Sequence, residues 1–361
     1  MEPLVDPLVY SYDRASSVVA EFEQFLRALG IASAPGSPLD HAMLVAHEIA
    51  DQLRGRPPAD LLLPDARDQY ARLIGVAEFA GAVLAVRSHP DARQLTAHLR
   101  LLAEASGLRA GPDPLQTTAA PATDRNANKL FELLIACFAM RCGTDVALDA
   151  PDASEGDNPD VLVTVAGRRW GFACKALHST APQSVIKNVQ KGLDQIDASP
   201  ADVGVVLVSP RNVLDRAALW PTAPAGTPEA YPPRPPALDG AGPAVGAAAG
   251  TELEARAEQF PVAFPNEQPA VAAMVRQVDA LTTAVVTEVG EDAMRELFDR
   301  PKAVGGFAYF LHGVTGVLTD RGPSPTSLKF FRFPPLGLPA PAGGPDVLAC
   351  LNDAAHHVLR V

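Results

Sequence analysis

Three residues in the middle of the chain are of the types that handle phosphate and divalent metal: Glu132 in Lys129-Leu130-Phe131-Glu132-Leu133-Leu134, Asp160 in Asn158-Pro159-Asp160, and Lys175 in Phe172-Ala173-Cys174-Lys175. Carboxylates supply hard oxygen ligands to Mg²⁺, and a lysine can orient a water or stabilise charge developing on phosphate. The last two residues lie on a readable frame. Val161–Val165 and Arg169–Cys174 have short strand patterns, and Ala166-Gly167 between them fits a two-residue turn. That turn sets Val165 against Arg168, and counting outward sets Asp160 opposite Ala173. With a strand period of two, residues 173 and 175 share the face of Asp160, while Cys174 points to the other. An acid and a lysine thus converge at one end of a hairpin.

The elements that must carry these residues can be read from periodicity. Asn128–Met140 is a strongly apolar helix carrying Glu132, and Val203–Val208 is a continuous apolar strand. Between them, Val185–Ile196 is a helix with an apolar stripe (Val185, Val189, Leu193, Ile196) and a polar face bearing Asn188, Lys191 and Gln195. The order helix, strand, strand, helix, strand predicts an α/β domain.

This order, with Glu132, Asp160, the Phe-Ala-Cys-Lys strand and the Gln-bearing helix, resembles the PD-(D/E)XK nuclease superfamily over roughly residues 124–212. The resemblance implies a restriction-endonuclease-like domain, a central mixed β-sheet flanked by helices, preceded here by a helical N-terminal domain. It implies Mg²⁺ or Mn²⁺ held by Glu132, Asp160 and the backbone carbonyl of Cys174, with Lys175 assisting the attacking water and Gln195 and Lys191 placed near the scissile phosphate. One departure stands out. The family has a second acid two positions before its lysine, and this chain has Ala173 there. Three readings stay open: an engineered inactivation, a natural variant whose acid comes from elsewhere, with Asp194 a candidate, or a fold kept without cleavage. The function expected is phosphodiester hydrolysis of DNA, with RNA second, impaired or abolished by Ala173. The alternative is an inactive nuclease-fold module for nucleic-acid binding or protein interaction.

The net charge of −12 over 361 residues argues against tight nonspecific coating of a polyanion. Locally the balance reverses: between Asp160 and Asp194 there is no acid, and Arg168, Arg169, Lys175, Lys187 and Lys191 all fall inside. Arg168, Arg169, Lys187 and Lys191 are the nucleic-acid contacts this window predicts. Other chemistries lack their signatures. There is no GxSxG elbow, no GxxxxGK[ST] loop and no strand-linked GxGxxG. His356, His357 and Cys350 lack the paired spacing of a structural zinc site and read as ordinary helix residues, as do His41 and His47. His178 and Ser179 follow Lys175 closely enough to line the same cleft.

The division expected along the chain is a helical domain over 1–118, the α/β core over 119–218, a Pro/Ala/Gly-rich insertion over 219–265, and helices and strands completing the α/β domain over 266–361. Helices are expected near Ser16–Leu29, Ala42–Leu53, Asp65–Arg87, Ala92–Ala105, Ala270–Val289, Asp292–Phe298 and Asp346–Leu359, and strands at Val304–Leu311 and Gly313–Leu318. No uninterrupted apolar run approaches the roughly 20 residues of a membrane span, the acidic start lacks the pattern of a signal peptide, and the four cysteines form no CxxC pair. A cytoplasmic protein with reduced thiols is expected, with self-association or a protein partner assigned to the N-terminal helices.

Overall fold

The computed structural model describes residues 12–54, 64–104, 125–151, 158–219, 268–302, 306–319, 322–336 and 343–356, save a few single positions. Nearly all of the linker around residues 111–121 and of the 219–265 insertion lies outside these.

Four helices come first: α1 (Tyr12–Ala28), α2 (Pro38–Arg54), α3 (Pro64–Ala85) and, after a short 3₁₀ turn at Ala92–Leu95, α4 (Thr96–Glu104). Then follow α5 (Arg125–Cys142), β1 (Thr144–Leu148), β2 (Val161–Val165), β3 (Arg168–Ala176), α6 (Pro182–Ala198) and β4 (Val203–Ser209). The chain closes with α7 (Gln268–Val289), α8 (Glu291–Phe298), β5 (Phe307–Thr319), β6 (Gly322–Arg332) and α9 (Gly344–His356). The protein is a mixed α/β molecule.

All six strands form one mixed sheet in the order β1-β2-β3-β4-β5-β6, with β3, β4 and β5 parallel and the other neighbours antiparallel. Central β4 is buried along its whole length because helices cover both faces, so its sequence is a continuous apolar run. Helices α5 and α9 lie on one face, with α3 and α4 packed outside α5, while α6 and α7 cover the other. Phe310 points to the first face, against Phe131 and Phe138 of α5, and its neighbour Tyr309 points to the second, bonded to Thr282 of α7.

The hairpin register is the one read from the sequence. Ala166 and Gly167 both have positive φ (50° and 75°), as a type I′ turn requires, and Val165 pairs with Arg168 out to Val161 with Phe172. Two strands escaped the sequence reading, β1 and β6, and the two segments expected around Gly313 are one 13-residue strand. Both missed strands are sheet edges. β1 is five residues long with one buried side chain and an irregular register, and β6 carries Pro323 and Pro325, which an edge tolerates because one row of its N–H groups has no strand to meet. The segment Pro269–Val289 is long and apolar enough to cross a membrane by length and composition, although Arg276 and Asp279 interrupt it; Met274, Val275, Val278 and Val285 on it are buried.

Small residues set how closely α6 approaches the sheet. A Cβ added at Gly192 would come 2.7 Å from Val206 Cγ1 and 3.3 Å from Ala173 Cβ, so the helix backbone packs directly on these two strand side chains. Helix α6 therefore packs directly over Ala173.

Candidate active site

Strand β3 outruns β2. The last ladder pair is Val161–Phe172, and beyond it Cys174 N–H donates to the Asp160 carboxylate at 2.6 Å instead of to a strand partner. Asp160 thus sits in the notch where the hairpin opens, its own carbonyl accepting from Asp149 N–H at 3.0 Å. The Lys175 ammonium folds back to the same carboxylate oxygen at 3.3 Å, and also donates to Gln195 Oε1 at 2.6 Å and the Cys174 carbonyl at 3.2 Å. Gln195 Nε2 in turn donates to Asn158 O at 2.9 Å, tying α6 to the segment that carries Asp160. Lys175 and Gln195 meet because Ala173 and Lys175 share the face covered by α6, and Gln195 lies one helical turn after Gly192.

Glu132 approaches from the α5 side. Its Oε2 accepts from Lys129 Nζ at 2.7 Å, one turn earlier on the same helix, and lies 3.4 Å from His98 Nε2 of α4. A carboxylate only accepts, so the imidazole nitrogen is the donor. Glu132, Asp160, Gln195 and Lys175 are 3, 5, 4 and 9 % exposed, an enclosed polar cluster in which every charge has an opposite partner.

Burial pushes the Asp160 carboxyl up to about 6; Lys175 opposes this, and the nearby Glu132 charge adds to it. Burial acts on Glu132 in the same sense, but the His98 hydrogen bond and Lys129 outweigh it and hold that carboxyl below its usual range. Burial raises the Cys174 thiol well above normal, with Asp160 and Glu132 contributing.

Of the residues expected at the site, Asp160, Lys175, Gln195 and the Cys174 carbonyl come together, with Glu132 beside them. Arg168 and Arg169 do not join them. They lie at the turn end of β3, seven and six residues from Lys175, roughly 20 Å away at about 3.3 Å per strand residue. Arg168 stacks over Trp170, and Arg169 bonds Thr164 Oγ1 and the Asp145 carbonyl while its N–H donates to Asp202. Lys187 and Lys191 lie on α6, and both are exposed. The basic window is therefore continuous in sequence and divided in space.

Asp194, the candidate substitute acid, points away from the site, is largely exposed and is bound by Arg300 at 2.7 Å, which also holds Asp197. His178 accepts from the Asn212 amide at 3.4 Å and Ser179 is exposed, caught in a local turn with Ala181 N–H. Sequence reasoning missed Lys129 and His98. The first had a signal in its i,i+3 spacing from Glu132, whereas the second, 34 residues away on another helix, had none.

No family model, curated protein or solved structure matches this chain.

Proposed function

We propose that the α/β core is a metal-dependent, nuclease-like domain that hydrolyses phosphodiester bonds of DNA and, second, of RNA. The observation that carries this reading is the cradle around Lys175, where Asp160 Oδ2, the Cys174 carbonyl and Gln195 Oε1 all lie within 3.3 Å of one cation. The mixed sheet flanked by helices, with α5, β2, β3 and α6 each supplying a residue, also accords with the resemblance to PD-(D/E)XK nucleases.

Among the described residues no group of three or more His, Cys, Asp or Glu placed to hold a metal ion occurs, and the acidic donors in this reading are two, Glu132 and Asp160. Mg²⁺ is commonly bound through one or two carboxylates while keeping several waters, so this donor set with the Cys174 carbonyl fits one Mg²⁺ or Mn²⁺ and does not support two. When bound, such a metal polarises a phosphoryl oxygen and acidifies a coordinated water. Lys175, steadied by Gln195, then neutralises charge developing on the phosphate, and Lys191 and Lys187 on the outer part of α6 meet the flanking backbone. A cytoplasmic setting belongs to the same proposal.

A second reading, a nuclease-fold module that binds nucleic acid or protein without cleaving, is favoured by one specific feature. Helix α6 closes over Ala173, and Lys129 and Lys175 already neutralise both carboxylates.

Plasmid, linear and single-stranded DNA and RNA incubated with Mg²⁺ or Mn²⁺ separate these readings. Cleavage by the wild-type chain that falls at least about 100-fold in Asp160→Ala and Lys175→Ala is the expected result, on the scale of losing a positioned electrostatic group. Salt-sensitive binding with no cleavage would establish the second reading, and cleavage indifferent to Asp160→Ala would remove the site assignment altogether.

A further inference from the structure

The N-terminal helices do not stand apart from the candidate site. His98, on α4, is 1 % exposed and reaches across to Glu132 on α5 with Nε2 3.4 Å from Oε2, on the oxygen that Lys129 also holds. Its other nitrogen, Nδ1, is buried without a hydrogen-bond partner among the described residues. Leaving a buried polar atom unpaired carries its full desolvation penalty, so an imidazole is an expensive way to fill apolar space. The return visible in the structure is the bond to Glu132. A second anchor sits nearby: Asp91, just before the 3₁₀ turn that leads into α4, accepts from Val146 N–H of β1 at 2.9 Å, fixing this segment against the sheet.

We propose that His98 is a positioning residue for the candidate metal carboxylate, so that the N-terminal helical layer completes the site rather than forming an independent appendage. This rests on the metal-dependent reading above. The role is to hold one oxygen of Glu132, through an N–H donor supplied by α4, and so to fix the direction in which the carboxylate faces Asp160. Partners of this kind typically change metal affinity 10–100-fold when removed.

The test is Mn²⁺ binding by the full chain, read from loss of the electron paramagnetic resonance signal of aqueous Mn²⁺, for wild type, Asp160→Asn, His98→Leu, His98→Asn and His98→Gln, each with a thermal melt. The Gln amide can stand where Nε2 stands and still donate, whereas the shorter Asn cannot reach. Expected are one Mn²⁺ on the wild type, its loss in Asp160→Asn, affinity at least about tenfold weaker in His98→Leu and His98→Asn, and recovery to within about threefold in His98→Gln. Equal affinity in wild type and His98→Leu, even with a lowered melting temperature, would overturn the positioning role and leave the metal site standing. No Mn²⁺ on the wild type, or binding unaffected by Asp160→Asn, would remove the metal reading and this proposal with it. If His98→Leu does not fold, the ¹⁵N resonances of His98 in the wild type decide: a proton on Nε2 whose resonance moves on adding Mg²⁺ supports the role, and an unmoved resonance refutes it.

Discussion

Ala173 invites the substitution Ala173→Glu, which would add the acid that the nuclease resemblance expects there, but its surroundings argue against a gain of cleavage. The side chain is fully buried, and α6 approaches it so closely that a methyl group at Gly192 would sit 3.3 Å from its own. A carboxylate here would be overpacked, typically 1–3 kcal/mol, and would put a further anion in a fully buried position under α6. Ala173→Glu is expected to lower stability by about 3 kcal/mol or more in urea denaturation and to add no cleavage. Ala173→Ser, which adds one oxygen, is expected to cost less than about 2 kcal/mol in the same assay. A rise in activity with stability intact would show that α6 can move aside. Lys175 carries the opposite burden. Removing it leaves Asp160 as an uncompensated buried charge, so Lys175→Met is expected to destabilise by about 3–5 kcal/mol at neutral pH, and the double variant Lys175→Met/Asp160→Asn to recover much of that loss. A thermodynamic cycle built from the four melts measures this coupling.

At the scale of elements, α6 explains how a polar cluster can sit beside an apolar sheet. Its stripe of Val185, Val189, Leu193 and Ile196 is buried as its spacing predicts, and Gln195 enters the same interface only because Lys175 needs an acceptor there. Gly192 lies on this stripe for a packing reason. In a solvent-facing helix position, replacing glycine by alanine stabilises by roughly 1 kcal/mol. Here the added Cβ meets Val206 at 2.7 Å, so Gly192→Ala is expected to destabilise by about 1–3 kcal/mol instead, which chemical denaturation would detect as a lowered midpoint at unchanged slope. Periodicity made α5, α6, β2, β3 and β4 legible because each buries a regular face. β1 and β6 lacked that signal, since an edge strand needs neither a continuous apolar run nor freedom from proline.

Across the whole molecule, a second buried ionic cluster joins the N-terminal helices to the β5–β6 end of the sheet. Glu78 of α3 accepts from Lys329 of β6 at 2.7 Å and lies 2.8 Å from His312 of β5, with all three nearly inaccessible to solvent. Lys329 and the His312 hydrogen bond overcome the cost of burial and take the Glu78 carboxyl down to about 2, while burial keeps His312 below its usual range. Both groups bind protons more readily when unfolded, so stability falls as pH drops, first below about 6.5 through His312 and then below about 4.5 through Glu78. The Glu78 part is on the order of 3 kcal/mol, fully present above its unfolded value and lost as pH approaches 2. Melts of wild type between pH 7 and pH 3 are expected to decline more steeply than those of Glu78→Gln, although the variant is less stable at pH 7 because Lys329 loses its partner. Parallel curves would deny Glu78 that role. Helices, the central strands, the hairpin register and the pairing of Asp160 with Lys175 were set by local pattern, because alternation, stripe and turn chemistry act over a few residues. The same register already put Arg168 and Arg169 at the turn end, away from Lys175. Only the tertiary structure decided that α6 fills the space beside Ala173 and that His98 and Glu78 reach into the α/β core. Those outcomes depend on contacts between residues tens to hundreds of positions apart, formed by the packing of whole faces, for which no spacing along the chain carries a signal.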